Sequence, residues 1–228
     1  MGKNDNGNNG RTELVFVVDR SGSMGGLESD TIGGFNSMLS KQRTIAGECR
    51  VTTLLFDHRI ETLHNHLDIR EVNDLTSRGY WVRGSTALLD AIGLAIDRMI
   101  VTQRHTAAAY RAQHVLFVII TDGYENASRR YSLHQIKQMI TYERERYHWE
   151  FVFLGANIDA EQTAGDFGIS PRCATDFHAD GQGIKASFEA VACAATAVRG
   201  GADLDDLSAP DFLGGVRDDY RSRRRMKR

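Results

Sequence analysis

Carboxylates and hydroxyls at five positions of the sequence could together hold a divalent metal ion. Three of them alternate in a short loop after an apolar run, one opens a helical segment, and one ends a second apolar run. Gly22 lies within the loop and permits a sharp turn of the backbone. Two carboxylates and three hydroxyls, without His or Cys, favour Mg²⁺, Mn²⁺ or Ca²⁺ over Zn²⁺. The five residues are Asp19, Ser21, Ser23, Thr86 and Asp122.

Apolar runs predict the strands that would position these residues. The first run is apolar on both faces, which is typical of a strand in the middle of a parallel sheet. The third run follows the second after a tight turn, so we expect it to be an antiparallel edge strand. The predicted strands are Leu14–Val18, Val51–Phe56, Ile60–Leu67, Val115–Ile120, Glu150–Leu154 and Cys173–Phe177.

Helical periodicity fills the segments between the strands. The order of elements predicts an α/β fold: a doubly wound, Rossmann-like sheet of about six strands, mostly parallel, with helices on both faces. Ligands of such sheets bind beyond the carboxyl ends of the strands, where Asp19 and Asp122 would lie side by side. The clearest helical segments are Thr31–Ile45, Ala87–Met99, Ser132–Tyr147 and Gly183–Val198.

Length and composition indicate one globular domain. The chain has 228 residues, of which 41% are hydrophobic and 25% are charged. Residues 1–12 are rich in Asn and Gly, and we expect a disordered tail there. The domain is predicted to span residues 13–200. Residues 201–228 are predicted to form a polar segment that trails over the surface into a basic tail.

Several features favour a cytoplasmic protein. The chain contains no apolar run of the roughly 18 residues that a membrane span needs. Its first residues, MGKNDNGNNGRTE, lack the apolar segment of a secretory signal. The three cysteines, Cys49, Cys173 and Cys193, form no CxxC pair, and we expect reduced thiols that are mostly buried.

The charge of the chain is unevenly distributed. Formal net charge is −2, although the segment from Arg221 to Arg228 carries six positive charges and no negative one. The body of the chain is therefore acidic, which disfavours a nucleic-acid groove because such a groove needs a basic face. The basic tail alone could contact phosphates or an acidic partner surface.

The five oxygen-bearing residues resemble a known motif. The D-x-S-x-S loop, the later Thr86 and the strand end Thr121-Asp122-Gly123 are similar to the metal-ion-dependent adhesion site (MIDAS) of the von Willebrand factor A (vWA) domain family. All five positions are filled in the order of the family. The resemblance extends over residues 14–198, nearly the whole predicted domain.

The resemblance carries expectations about the site. It implies that Ser21, Ser23 and Thr86 ligate the metal directly or nearly so. Asp19 and Asp122 would act largely through bound waters and hydrogen bonds to the serines. A partner protein would complete the metal's coordination with a Glu or Asp side chain. The chain looks similar to stand-alone, intracellular, prokaryotic members of the family, which would make it a metal-dependent protein-binding module.

Enzyme motifs are not matched by the same residues. Position 21 is serine, whereas a phosphate-transferring aspartate would need a second carboxylate there. The sequence has no G-x-S-x-G elbow around Ser23, no P-loop and no G-x-G-x-x-G fingerprint. We therefore expect a binding protein and not an enzyme. The alternatives are a metal-assisted hydrolase and an adapter that tethers nucleic acid through the basic tail.

Residues beside the predicted metal site are candidates for partner contact. Tyr, Trp and Arg are enriched at protein–protein hot spots, and arginine would attract an acidic ligand. Aromatic side chains also pack inward, so both interpretations stay open for Trp81. The candidates are Arg20, Tyr80, Trp81, Arg83 and Tyr124.

Overall fold

A computed structural model describes residues 10–226. Residues 1–9, most of the predicted tail, lie outside this range, and Thr12 at the end of that tail already belongs to the first strand. The strands are β1 (Thr12–Asp19), β2 (Cys49–Phe56), β3 (Ile60–Asp68), β4 (His114–Asp122), β5 (Glu150–Ala156) and β6 (Ala174–Asp176). The α-helices are α1 (Glu28–Arg43), α2 (Leu88–His105), α3 (Leu133–Tyr147), α4 (Ala160–Asp166), α5 (Gly181–Arg199) and α6 (Gly214–Met226).

The six strands form one sheet in the order β3-β2-β1-β4-β5-β6. β3 runs antiparallel to β2, and every other neighbouring pair is parallel. The predicted Rossmann-like α/β fold with one antiparallel edge strand is therefore confirmed. β1 and β4 are neighbours in the centre, with Val18 paired to Ile120, so the residues that follow both strands emerge at one edge of the sheet.

The central strands are apolar because both faces of the sheet are covered. Every residue of β1 is buried, and in β4 only the first residue, His114, is not. α2 buries one stripe of side chains and leaves its opposite side to solvent. The buried stripe of α2 includes Leu88, Ala91, Ile92, Ala95, Ile96 and Met99.

Within residues 10–226, no helix combines the length and the apolar character of a membrane span.

Helix α1 begins earlier than predicted. It starts at Glu28, three residues before the predicted Thr31, so Gly33 and Gly34 lie inside the helix. A Cβ atom on Gly34 would lie 2.3 Å from a ring carbon of Phe188 on α5. Glycine is therefore required for the close approach of α1 and α5, a packing requirement that helical periodicity does not reveal.

Side-chain caps begin two helices near the candidate site. Ser132 begins α3 in a capping box, because its hydroxyl accepts from the Gln135 amide and the Gln135 side chain accepts from the Ser132 amide. Asp159 caps α4 by accepting from the amide of Gln162 at 2.9 Å. Both caps fix where these helices start at the carboxyl edge of the sheet.

The C-terminal segment corrects a sequence-based expectation. Residues 201–228 were expected to trail over the surface, whereas Leu204, Leu213 and Val216 are buried and α6 packs beside β6. Arg217 donates from Nη2 to three backbone carbonyl oxygens along the edge of the sheet, those of Pro171, Arg172 and Ala174. The apolar burial and these hydrogen bonds hold residues 204–217 against the domain, and residues 227–228 lie outside the described range.

Glu150 at the start of β5 provides a test of this C-terminal packing. Burial and the nearby charges of Asp203 and Asp205 raise the pKa of Glu150 from 4.5 to about 7. The folded chain thus holds the Glu150 proton more tightly than the unfolded chain does. The associated stabilisation is complete below pH 4.5 and is lost as the pH rises through about 7.

We expect Glu150→Gln to raise the free energy of unfolding by about 1–2 kcal/mol at pH 8 and by much less at pH 5, after allowance for solvent screening. Urea unfolding at the two pH values measures this difference. Glu145→Gln, an exposed position on α3, is the matched control. An equal effect of Glu150→Gln at both pH values would contradict the assignment.

Candidate metal centre

The ends of β1 and β4 and the segment before α2 meet at one edge of the sheet. The Gly22 amide donates to the Gly84 carbonyl oxygen at 3.0 Å, which joins the loop after β1 to that segment. The Thr121 hydroxyl at the end of β4 donates to the Asp19 carboxylate at 2.7 Å. The five predicted residues therefore lie at this edge, and Ser23 is their one exposed member.

Asp19 is fully buried, and both of its carboxylate oxygens accept hydrogen bonds. Oδ1 accepts from the Ser21 amide at 2.6 Å. Oδ2 accepts from the Thr121 hydroxyl and, at 3.3 Å, from the Asp122 amide. Burial raises the pKa of Asp19 above its ordinary value, although the hydrogen bonds from Ser21, Thr121 and Asp122 lower it. A nearby cation would favour the ionised carboxylate.

The two serines of the loop present their hydroxyls together. Ser21 Oγ and Ser23 Oγ lie 2.9 Å apart, and residues 22–24 form a short 3-10 turn that brings them to the same side. Gly123 lies against this pair in a left-handed conformation with φ of 130°, and a Cβ atom there would be 3.5 Å from Ser23 Oγ. The positive φ favours glycine after Asp122, since a Cβ atom at 3.5 Å would make only an ordinary contact.

Asp122 is held by an asparagine that sequence analysis assigned no role. Asn157, directly after β5, donates from Nδ2 to Asp122 Oδ1 at 2.5 Å. Its φ of 55° lies in the left-handed region, which Asn tolerates better than most residues. Burial raises the pKa of Asp122, and the hydrogen bond from Asn157 lowers it. The sequence did contain a signal for this role, because Asn157 is a polar residue at the carboxyl end of β5, the strand next to β4.

Thr86 is positioned through its backbone by the loop after β4. The Thr86 amide donates to Asn126 Oδ1 at 2.9 Å, and the Thr86 carbonyl oxygen accepts from the Asn126 and Ala127 amides at 3.1 and 3.2 Å. These bonds fix the buried Thr86 immediately before α2 at this edge of the sheet. Asn126 is the second residue that sequence analysis left without a role here.

The remainder of the same loop anchors α2. The Glu125 carboxylate accepts from the amides of Leu89 at 2.9 Å, Ala127 at 2.8 Å and Ser128 at 2.7 Å. This carboxylate is therefore committed to the N-terminus of α2 and to the loop itself. Tyr124 differs from it, because its side chain is 62% exposed and remains available for partner contact.

Two of the residues predicted to contact a partner are buried, which corrects that expectation. Arg20 forms ion pairs with Asp57 at 3.1 Å and with Glu61 at 2.8 Å, and only 1% of it is exposed. Tyr80 is equally buried, and its hydroxyl donates to the backbone oxygen of Asp19 at 2.6 Å. Both side chains hold the loop after β1 in place, because Asp57 requires a buried cation and Asp19 O requires a donor.

Trp81 and Arg83 lie at the rim of the site. Trp81 is 44% exposed, and the Arg83 guanidinium lies 4.3 Å from the centroid of its ring. Arg83 also pairs with Asp57 at 2.7 Å. Burial raises the pKa of Asp57, but the hydrogen bond from Arg83 and the charge of Arg20 outweigh that effect and hold the pKa below its ordinary value. Arg83 therefore contributes little unpaired charge, whereas Trp81 offers an exposed aromatic face.

The composition of the cluster limits the metals it could hold. Among the described residues, no group of three or more His, Cys, Asp or Glu side chains is arranged to bind a metal. A metal bound at this edge of the sheet would thus need hydroxyl ligands from serine and threonine in addition to the two aspartate carboxylates. Such an all-oxygen set suits hard cations.

Comparisons with known proteins identify the fold. No protein-family model and no curated protein sequence matches the chain. Proximal thread matrix protein 1 of the mussel byssus, solved with a zinc-occupied MIDAS motif, has a TM-score of 0.55 at 13% identity over 82% of this chain and 46% of that chain. The vWF domain of the type V pili tip protein Mfa5 from Porphyromonas gingivalis has a TM-score of 0.57 at 13% identity over 82% of this chain and 95% of that domain.

A third solved structure points the same way. The PilB minor pilin from Streptococcus sanguinis, solved as a point mutant, has a TM-score of 0.52 at 13% identity over 88% of this chain and 64% of that chain. The present chain spans about half the length of the mussel protein. Identities this low show the fold alone, and that fold is the Rossmann-like α/β fold of von Willebrand factor A domains.

Proposed function

We propose that this chain is a metal-dependent binding module that captures an acidic side chain of a partner protein. The observation that carries the proposal is the pair of serine hydroxyls, 2.9 Å apart, at the edge where Asp19 and Asp122 are fixed. Ser21, Ser23 and Thr86 would be the direct ligands, and the two aspartates would act mainly through waters and hydrogen bonds. A vWA-fold structure with zinc in its MIDAS motif also supports a divalent cation.

The spacing of the two hydroxyls suits magnesium or manganese, and it is also the spacing of the hydrogen bond between them. Neighbouring ligands of an octahedral ion with bonds of about 2.1 Å lie about 3.0 Å apart. Ser21 Oγ and Ser23 Oγ have nearly this separation. Calcium, with bonds of about 2.4 Å, would need the two oxygens to move apart. The backbone of the loop is fixed by Asp19 and Gly84, which opposes such a movement.

The carboxylates explain why an outside ligand would be needed. Asp19 uses both oxygens within the protein, and one oxygen of Asp122 accepts from Asn157. Few carboxylate oxygens are thus free for direct ligation, so a bound cation would retain affinity for an external carboxylate. Ser23 is exposed and marks the open side at which a Glu or Asp of the partner would arrive.

We infer that the chain is not an enzyme. A metal-assisted hydrolase would need a general base near the ion, and the two aspartates of the cluster are both held by hydrogen bonds.

The nucleic-acid alternative depends on the basic tail. Arg223 of that tail already forms ion pairs with Asp180 and Asp219, which reduces the positive charge available to phosphates. We also propose a cytoplasmic location, which the three unpaired cysteines support.

Partner capture tests the proposed function directly. Immobilised protein is expected to retain its partner from native lysate with Mg²⁺ and to release it with EDTA. Ser23→Ala should abolish retention while the domain stays folded, because Ser23 is exposed. Ser37→Ala, an exposed serine on α1, is the control. Retention that survives both EDTA and Ser23→Ala would disprove the proposal.

The hydrogen bond from Asn157 to Asp122 predicts a second effect. Asn157→Gly keeps the left-handed backbone and removes only the side chain. We expect it to weaken Mn²⁺ affinity by about 10-fold to 100-fold, as loss of a bond that orients a ligand commonly does, without lowering the melting temperature. Isothermal titration with Mn²⁺ and thermal unfolding give the two readouts. An unchanged Mn²⁺ affinity would show that Asn157 does not orient Asp122 for the metal.

A further inference from the structure

An apolar groove of about 460 Å³ lies next to the candidate metal centre. It is formed where the first residues of α2 and α3 and one side of α4 meet the loops after β4 and β5. Its floor contains buried apolar side chains, and its rim contains apolar side chains open to solvent. Residues that line the groove include Leu88, Leu133, Ile158, Phe167, Gly123 and Tyr124.

The groove is continuous with the metal centre. Gly123, which lines the groove, directly follows Asp122 and lies against the hydroxyl of Ser23. Ile158, on the opposite wall, directly follows Asn157, whose side chain donates to Asp122. A chain segment with its carboxylate at the metal could therefore lay its next residues along the groove without leaving the surface.

The rim of the groove leaves large apolar side chains uncovered. Leu133 is 44% exposed at the first position of α3, and Tyr124 is 62% exposed in the loop after β4. Beneath them, Leu88 and Phe167 are buried but line the cavity. An apolar side chain placed there would lose its contact with water on both sides, which is the main source of affinity in such pockets.

The charged side chains of the groove have one sign. Glu125, Asp159 and Asp166 line it, and none of the described lining residues is Lys or Arg. The carboxylates of Asp159 and Glu125 cap helices, whereas Asp166 is exposed at the end of α4. Asp159 also borders a neighbouring cavity that Arg217, Arg221 and Arg224 line, so a basic side chain of a ligand would be attracted mainly to Asp166.

We propose that this groove binds the partner segment that supplies the carboxylate, and that this segment carries an apolar residue and then a Lys or Arg beyond its acidic residue. The proposal rests on the proposed function, because the contact between carboxylate and metal sets where the segment begins. The recognised pattern would thus have three parts. Its acidic residue binds the metal, its apolar residue is buried in the groove, and its basic residue contacts the rim.

A peptide library tests this pattern with the full chain. Random 12-residue peptides with a fixed central Glu, displayed on phage, are selected on the immobilised protein in Mg²⁺ and eluted with EDTA. We expect an apolar and then a basic residue to be enriched at fixed positions on one side of the Glu. In the synthetic peptide of the selected sequence, replacing the apolar residue with Ser should weaken binding at least about tenfold.

Variants of Leu133 separate the groove from the metal centre. Leu133→Lys and the milder Leu133→Ser should remove the apolar enrichment, and they should leave EDTA-sensitive peptide binding and Mn²⁺ affinity unchanged. Val101→Lys, at an exposed apolar position elsewhere on α2, should select the wild-type pattern. Enrichment without apolar or basic preference, no enrichment at all, or an unchanged pattern in both Leu133 variants would overturn the groove proposal. Failure of the wild-type protein to bind Mn²⁺ would instead overturn the proposed function on which it rests.

Discussion

The buried carboxylate of Asp19 is the interaction on which the geometry of the site depends. Removing a carboxylate from water costs several kcal/mol unless hydrogen bonds replace its hydration. Here the Ser21 amide, the Thr121 hydroxyl and the Asp122 amide replace it. Because these donors belong to the loop after β1 and to the end of β4, satisfying one buried charge also fixes the serine pair and the second aspartate relative to each other.

Much of this arrangement could be predicted from the sequence. The strands were predictable because central parallel strands are apolar on both faces, and β1 and β4 carry the longest such runs. Once those strands are neighbours, Asp19 and Asp122 must emerge together. Asn126 and Asn157 were not predicted to position ligands, because their hydrogen bonds depend on the conformation of loops, and residue spacing carries little information about loop conformation.

Two corrections have a common physical origin. Arg20 was expected to contact a partner because arginine attracts an acidic ligand, but its partner Asp57 lies 37 residues further along the chain, beyond the reach of a local pattern. The C-terminal segment was expected to trail over the surface because its sequence is mostly polar. In both cases long-range contacts bury groups that local sequence suggests are solvated.

The result is a fixed centre with an open side, bordered by Trp81 and by the apolar groove. The most direct test of the central claim is anomalous diffraction from crystals grown with Mn²⁺. The account predicts one strong manganese peak within bonding distance of the Ser21 and Ser23 hydroxyl oxygens, with the Thr86 hydroxyl facing it. A peak bound by other residues, or none at this edge of the sheet at saturating Mn²⁺, would contradict it.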